Sequence, residues 1–185
     1  MSDKIYYSFL SELEGGSVTK GYVPAAGVSK SGVTIGTGFD LGQRNETDLK
    51  TLGLSSALIA ILKPYLGKQA KDAQAVLDKT PLSITFDQAA GIDKAVKKAH
   101  IDLIKQNYNA VAENKKTFTD LPAEAQTVIA SVSFQYGAIL GARAPKFWNA
   151  AKIQDWKECI KVLNNFGDAY PTRRKKEAAL LEKIK

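Results

Sequence analysis

Three side chains in the first forty residues are of types that do acid–base chemistry together. Glu14 closes a run of helix formers and stands directly before Gly15-Gly16, while Thr34 and Asp40 lie within SGVTIGTGFDLG, residues 31–42. A carboxylate at a helix C-terminus opposes the helix macrodipole, so Glu14 occupies a slightly unfavourable place and invites the question of what it gains there. Read for function, it is a carboxyl at a lobe junction, partly buried and able to act as a general acid; read plainly, it is a surface glutamate. Two carboxyls and a hydroxyl that converge form the minimum set for glycoside hydrolysis. One acid protonates the leaving oxygen, a carboxylate serves the opposite face, and a hydroxyl between them holds a water.

The four glycines of residues 31–42 do not form G-x-G-x-x-G, and no Gly-Lys-Ser/Thr follows, so neither nucleotide signature is met. The plain reading is a tight hairpin in which glycine supplies positive φ. That accounts for Gly32 but not for the crowding of Thr34, Thr37 and Asp40 among the glycines. Other candidate groups read more simply. His100 stands alone on a lysine-rich helix without the spaced partners a metal needs, and is expected at the surface. Cys159 lies on the apolar side of its helix with no base near it in sequence, which points to a buried structural thiol. No metal and no cofactor is expected.

These residues must be positioned by a chain of 185 residues, enough for one domain with a real core. Residues 4–14 carry an apolar stripe of Ile5, Phe9, Leu10 and Leu13, with Ser2 or Asp3 as cap and Gly15-Gly16 as stop. From Ser17 to Gly42 the pattern turns β-branched, aromatic and glycine-broken, predicting a small antiparallel hairpin or meander. Six to eight helices are expected after it. TFDQ, residues 85–88, is a capping box that opens a long helix. LPAEAQTVIASVSFQYG, residues 121–137, is apolar almost all round, and reads as a central buried helix between Pro122 and Gly137. The expected fold is α+β and mostly helical, with segregated strands, in one domain over 1–185. It has a small N-terminal β lobe over about 15–80, a connecting helix over about 86–113, and a helical C-terminal lobe over about 114–185 with the first helix packed on it. A cleft between lobes is a common place for a ligand.

Charge and composition narrow the partners. A formal net charge of +7 favours a polyanion, and anionic wall polymer, anionic lipid and nucleic acid all satisfy that demand. The single cysteine excludes an internal disulfide. MSDKIYYSFLSELEGG has no unbroken apolar run and does not read as a signal peptide. The tail RRKKEAALLEKIK, residues 173–185, reads as a solvated helix packed by its apolar face, or as a cationic amphipathic helix touching anionic lipid or lipopolysaccharide; Glu177 and Glu182 dilute its charge and favour the first.

Taken in order along the chain, several pieces resemble one family. ELEGG resembles the Glu-Gly at the end of the first helix of phage-type lysozymes (endolysin muramidases), and TIGTGFD resembles their T-x-G-x-G element. SFQYG resembles the Phe-Gln-x-Gly ending of their central helix, and DWKECIKVLNNF followed by PTRRKKEAALL resembles their last Trp helix and Pro-x-Arg turn. No Asp lies between Glu14 and Thr34, where many phage lysozymes have one; an Asp six residues after the Thr matches the pesticin-like branch instead.

The resemblance implies a lysozyme-like fold and a muramidase that cleaves the N-acetylmuramic acid to N-acetylglucosamine β-1,4 bond of peptidoglycan. It implies Glu14 as proton donor, Thr34 as the residue that positions water, and Asp40 as the second carboxylate. Phe134 and Gln135 would face glycan, against a plain reading of equal weight in which Phe134 is core and Gln135 a helix cap, and Arg173 would pair with the catalytic Glu. The expected protein is a monomer with no nucleic-acid partner, waiting in a host cytoplasm until a separate pore-former gives it access to the wall. A bacteriocin toxin domain, a lytic transglycosylase and a non-enzymatic cationic wall- or membrane-binding protein are the other readings.

Overall fold

The computed structural model describes residues 3–24, 30–112 and 116–184. Ser2, considered as a helix cap, and residue 113, the expected end of the long helix, lie outside the described residues. The chain divides into two units, one of residues 14–99 and one of residues 1–13 with 100–185.

The unit of residues 14–99 is built on a three-stranded antiparallel sheet in the order β1 (Val18–Tyr22), β2 (Thr34–Gly36), β3 (Phe39–Asp40). The register sets Thr34 opposite Asp40 and Ile35 opposite Phe39. All three residues of β2 are buried, which is why Val33, Thr34 and Ile35 form a continuous run rather than an alternating one. Beside β1, Gly21 N donates to the Leu82 carbonyl and Ile84 N to the Thr19 carbonyl, both at 2.9 Å. Three short helices share a core with β2 and β3: α2 (Glu46–Thr51), α3 (Ser56–Leu62) and α4 (Ala70–Lys79). Asn45 and Asp48 cap α2 reciprocally, and Pro64 turns the end of α3 into a 3-10 turn over Lys63–Tyr65. Val33, Ile35, Phe39, Leu41, Leu49, Leu62 and Ile92 form the core of this unit.

Ile92 comes from α5 (Phe86–Val111), whose residues up to 99 belong to this unit. The capping box at its start is present: Gln88 N donates to Thr85 Oγ1 at 3.2 Å, and Thr85 N to Gln88 Oε1 at 2.9 Å.

The other unit is helical: α1 (Tyr7–Glu14, up to Leu13), the rest of α5, α6 (Ala123–Tyr136), α7 (Leu140–Arg143), α8 (Pro145–Lys152), α9 (Trp156–Asn164) and α10 (Pro171–Leu181). Every residue of α6 from Ala125 to Ser133 is buried, so its polar groups must find partners inside. Gln126 accepts from Lys4 N and donates to the carbonyl of Leu121, both at 2.9 Å. Thr127 Oγ1 accepts from Tyr6 N at 2.9 Å and donates to the Ala123 carbonyl at 2.7 Å. The Lys4 and Tyr6 amides thus bond α6 side chains, and α1 starts at Tyr7 rather than near residue 4.

The α+β class expected from sequence is the class observed, with the strands segregated near the N-terminus. Nine α-helices follow the sheet among the described residues, where six to eight were expected. One source of the excess is the stretch 140–152, which Pro145 splits into α7 and α8. Among the described residues no helix is long and apolar enough to cross a membrane.

Candidate active site

Thr34 and Asp40 face each other across β2 and β3, and the glycines around them have a mechanical reason. A Cβ on Gly32 would lie 2.4 Å from the Cα of Gly42, and one on Gly42 would lie 2.6 Å from the Cα of Gly32. The two backbones touch, and Asp40 Oδ1 sits where it can accept from both amides, Gly32 N at 2.9 Å and Gly42 N at 2.8 Å. Asp40 thereby also caps the 3-10 turn over Leu41–Gln43. Thr34 is buried, and its Oγ1 donates to the Gly32 carbonyl at 3.3 Å.

The turn between the two strands is fixed from α5. Asp93 accepts from Thr37 N at 2.7 Å through Oδ1 and from Thr37 Oγ1 at 2.8 Å through Oδ2. Gly36 has φ +61, and a Cβ there would lie 2.6 Å from Asp93 Oδ1. One turn further along α5, Lys97 Nζ lies 2.9 Å from Glu14 Oε2. The Glu14 side chain is 13% exposed and that of Lys97 17%. Glu14, Thr34, Asp40, Asp93 and Lys97 thus all belong to the unit of residues 14–99. Sequence reasoning named the first three and missed the other two. The signal that could have found Asp93 and Lys97 is their i,i+4 spacing, which puts both on one face of a helix.

The remaining candidates belong to the helical unit. Phe134 is half-buried and stacks on His100, with ring centroids 4.6 Å apart. His100 was expected at the surface; it is half-buried instead, because the α6 residues Phe134 and Ser133 cover it. Ser133 Oγ donates to the Ala130 carbonyl at 2.7 Å and lies 2.9 Å from His100 Nε2, so the ring nitrogen is the donor of that second bond. Gln135 accepts from Arg174 Nη2.

Arg173 and Arg174 are both buried, around the fully buried Glu177. Arg173 Nε donates to Glu177 Oε1 at 3.2 Å, its Nη2 to the Ser131 carbonyl at 2.9 Å and to Ser131 Oγ at 3.0 Å, and its Nη1 to the Leu13 carbonyl at 3.4 Å. Ser131 Oγ in turn donates to Glu177. Arg174 donates to Glu177 and, at 2.9 Å, to Asp168 Oδ2, which also accepts from Tyr136 Oη at 2.8 Å. The Arg174 guanidinium stacks 4.6 Å from the Phe166 ring centre. Burial works against the charge of Arg174, but the attraction of Glu177 and the bond to Asp168 overcome it and raise its pKa above the ordinary value. Burial alone would raise the Asp168 carboxyl; hydrogen bonds from Tyr136 and Arg174 outweigh it and hold the carboxyl below its usual range.

The last helix therefore departs from a charged, solvated tail packed only through apolar residues. Among the described residues of the tail, Lys175, Lys176 and Lys183 stay exposed. Cys159 is fully buried, and burial pushes its thiol up to about 12, as suits a structural residue.

The family model described as "Pesticin: Bacterial toxin homologue of phage lysozyme, C-term" matches residues 4–157. The chain belongs to the pesticin family. The match includes Glu14, Thr34, Asp40, Phe134 and Gln135 and ends within α9, before Asp168, Arg173, Arg174 and Glu177. No curated protein matches the chain. As a pesticin-family domain homologous to phage lysozyme, it is of lysozyme type, and peptidoglycan is its substrate class.

Proposed function

We propose that the protein is a muramidase, hydrolysing the N-acetylmuramic acid to N-acetylglucosamine β-1,4 bond, with Glu14 as general acid and Thr34 and Asp40 holding the attacking water. The observation that carries this reading is the mostly covered Glu14 carboxyl at the end of α1, in the same unit as the facing pair Thr34 and Asp40. Two backbone amides converge on Asp40 Oδ1, which orients the carboxyl and leaves Oδ2 to take a proton from water. Thr34 Oγ1 gives its proton to the Gly32 carbonyl, so towards a water it acts as an acceptor and turns one O–H to itself.

A water between the two carboxyls requires a separation of roughly 6.5–9.5 Å, which makes the reaction inverting. Arg173, expected to pair with the catalytic Glu, has Glu177 as its described ion partner, and what it offers α1 is a backbone contact. Its bond to the Leu13 carbonyl reaches the residue just before Glu14, which favours a part in holding the end of α1.

Mass spectrometry of the fragments released from purified sacculi tests the proposal. Hydrolysis releases reducing-end muropeptides, and Glu14→Gln should lower their yield about 10²–10⁴-fold. A fresh digest read by NMR should show the α-anomer first. Anhydro products, with activity kept in Asp40→Ala, would replace the proposal with a lytic transglycosylase. Lysis by Glu14→Gln at the wild-type rate would replace it with a non-enzymatic cationic protein.

A further inference from the structure

Lysine–carboxylate pairs are common on this protein, and one of them differs in kind. Lys50 with Glu46 has side chains 65% and 37% exposed, and Lys161 with Glu158 has 72% and 47%. Pairs of that sort are largely solvated and contribute little. Lys97 with Glu14, at 17% and 13%, is far less exposed than either.

Glu14 also needs an anchor more than most glutamates. It is the last residue of α1, where its charge opposes the macrodipole. Gly15, with φ +79, and Gly16 follow it, and a Cβ on either would meet nothing within 4 Å. A long carboxyl side chain left alone samples many rotamers.

We infer that Lys97 is a positioning residue for Glu14, and that the Asp93–Lys97 turn of α5 sets the acid and the water-holding hairpin in one frame. Asp93 takes both donors of Thr37, midway between Thr34 and Asp40 in sequence, and Lys97 takes Glu14. Two side chains one helical turn apart keep a fixed spacing, since the helix between them is rigid. A reacting carboxyl displaced by about 1 Å can lose on the order of 100-fold in rate, so such a frame has a use in catalysis. This inference rests on the reading of Glu14 as general acid.

The test measures release of reducing ends from soluble, uncrosslinked glycan strands by wild type, Lys97→Met, Lys97→Arg, Glu14→Gln and the double variant Lys97→Met/Glu14→Gln. Lys97→Met should lower kcat about 10-fold or more with KM changed less than about 2-fold, because the loss falls on geometry and not on glycan contact. Lys97→Arg should restore most of kcat. In the Glu14→Gln background, Lys97→Met should change the residual rate less than about 2-fold, since the group it positions is gone. If Lys97→Met does not fold, Lys97→Gln carries the same expectation. Wild-type or raised kcat in the lysine variants, beside an inactive Glu14→Gln, overturns this inference alone. An active Glu14→Gln overturns it together with the reading beneath it.

Discussion

Both units hold a glutamate against basic side chains, and they do so in different ways. In the unit of residues 14–99, the described ion partner of Glu14 is Lys97, a flexible ammonium on a four-carbon stem. In the helical unit, Glu177 meets two guanidinium groups and the Ser131 hydroxyl with none of its surface exposed. Arginine suits the second role because its planar fork presents several fixed donors, and here the forks also bond the Ser131 carbonyl, Gln135 and Asp168. A carboxyl tied from every side can brace helices but has no freedom to exchange a proton with a substrate. The Glu14 carboxyl, partly covered and with one ammonium as its described ion partner, is tied by fewer bonds. On the proposed mechanism, this difference would separate a structural charge from a chemical one without reference to position in the sequence.

Removing each carboxyl in turn tests that separation most directly. Glu14→Gln should abolish most activity with the melting temperature nearly kept. Glu177→Ala should do the reverse in kind, costing about 3–5 kcal/mol of stability, because it leaves two buried guanidinium groups without their main counter-charge. Chemical denaturation of the two variants checks the contrast. Equal stability losses in both would show that Glu14 too is a brace.

A smaller effect is expected at the hairpin. Gly32→Ala puts a methyl group 2.4 Å from the Gly42 backbone, so the contact that lets Asp40 accept two amides must open. Overpacking of this kind costs about 1–3 kcal/mol. Activity should fall further than stability, since the moved carboxyl is one the proposed mechanism uses. A variant with lowered stability and unchanged activity, by denaturation and glycan release, would make Asp40 a purely local cap.

Much of the fold could be read in advance because its signals are local. The β-branched, glycine-broken run became the sheet, the TFDQ capping box opened α5, and the apolar run before Gly137 became the buried α6. What could not be read depends on contacts across the chain. Asp93 lies 56 residues from Thr37, and Lys97 lies far from Glu14, so their i,i+4 spacing puts them on one helix face without saying what either meets. Arg173, Arg174 and Glu177 fall at i, i+1 and i+4 of a charge-rich helix. That spacing on its own describes a solvent-facing stripe as well as it describes a buried network.

The smallest predicted effect concerns pH and belongs to the helical unit. Hydrogen bonds from Tyr136 and Arg174 hold the folded Asp168 carboxyl below its ordinary value of 3.8, against the opposing effect of burial. Its contribution is therefore fully present above the unfolded pKa and is lost as pH falls from there through the folded value. Asp168→Asn keeps the shape and an accepting oxygen but removes the charge, and should cost about 1 kcal/mol near neutrality. The gap between wild type and variant should narrow below pH 4 or so, because the wild-type carboxyl is then losing the same charge. Urea denaturation of both proteins across the acid range measures it. A gap that stays constant down to the lowest pH would mean that Asp168 acts through shape alone, and would confine the ionic part of the brace to Arg173, Arg174 and Glu177.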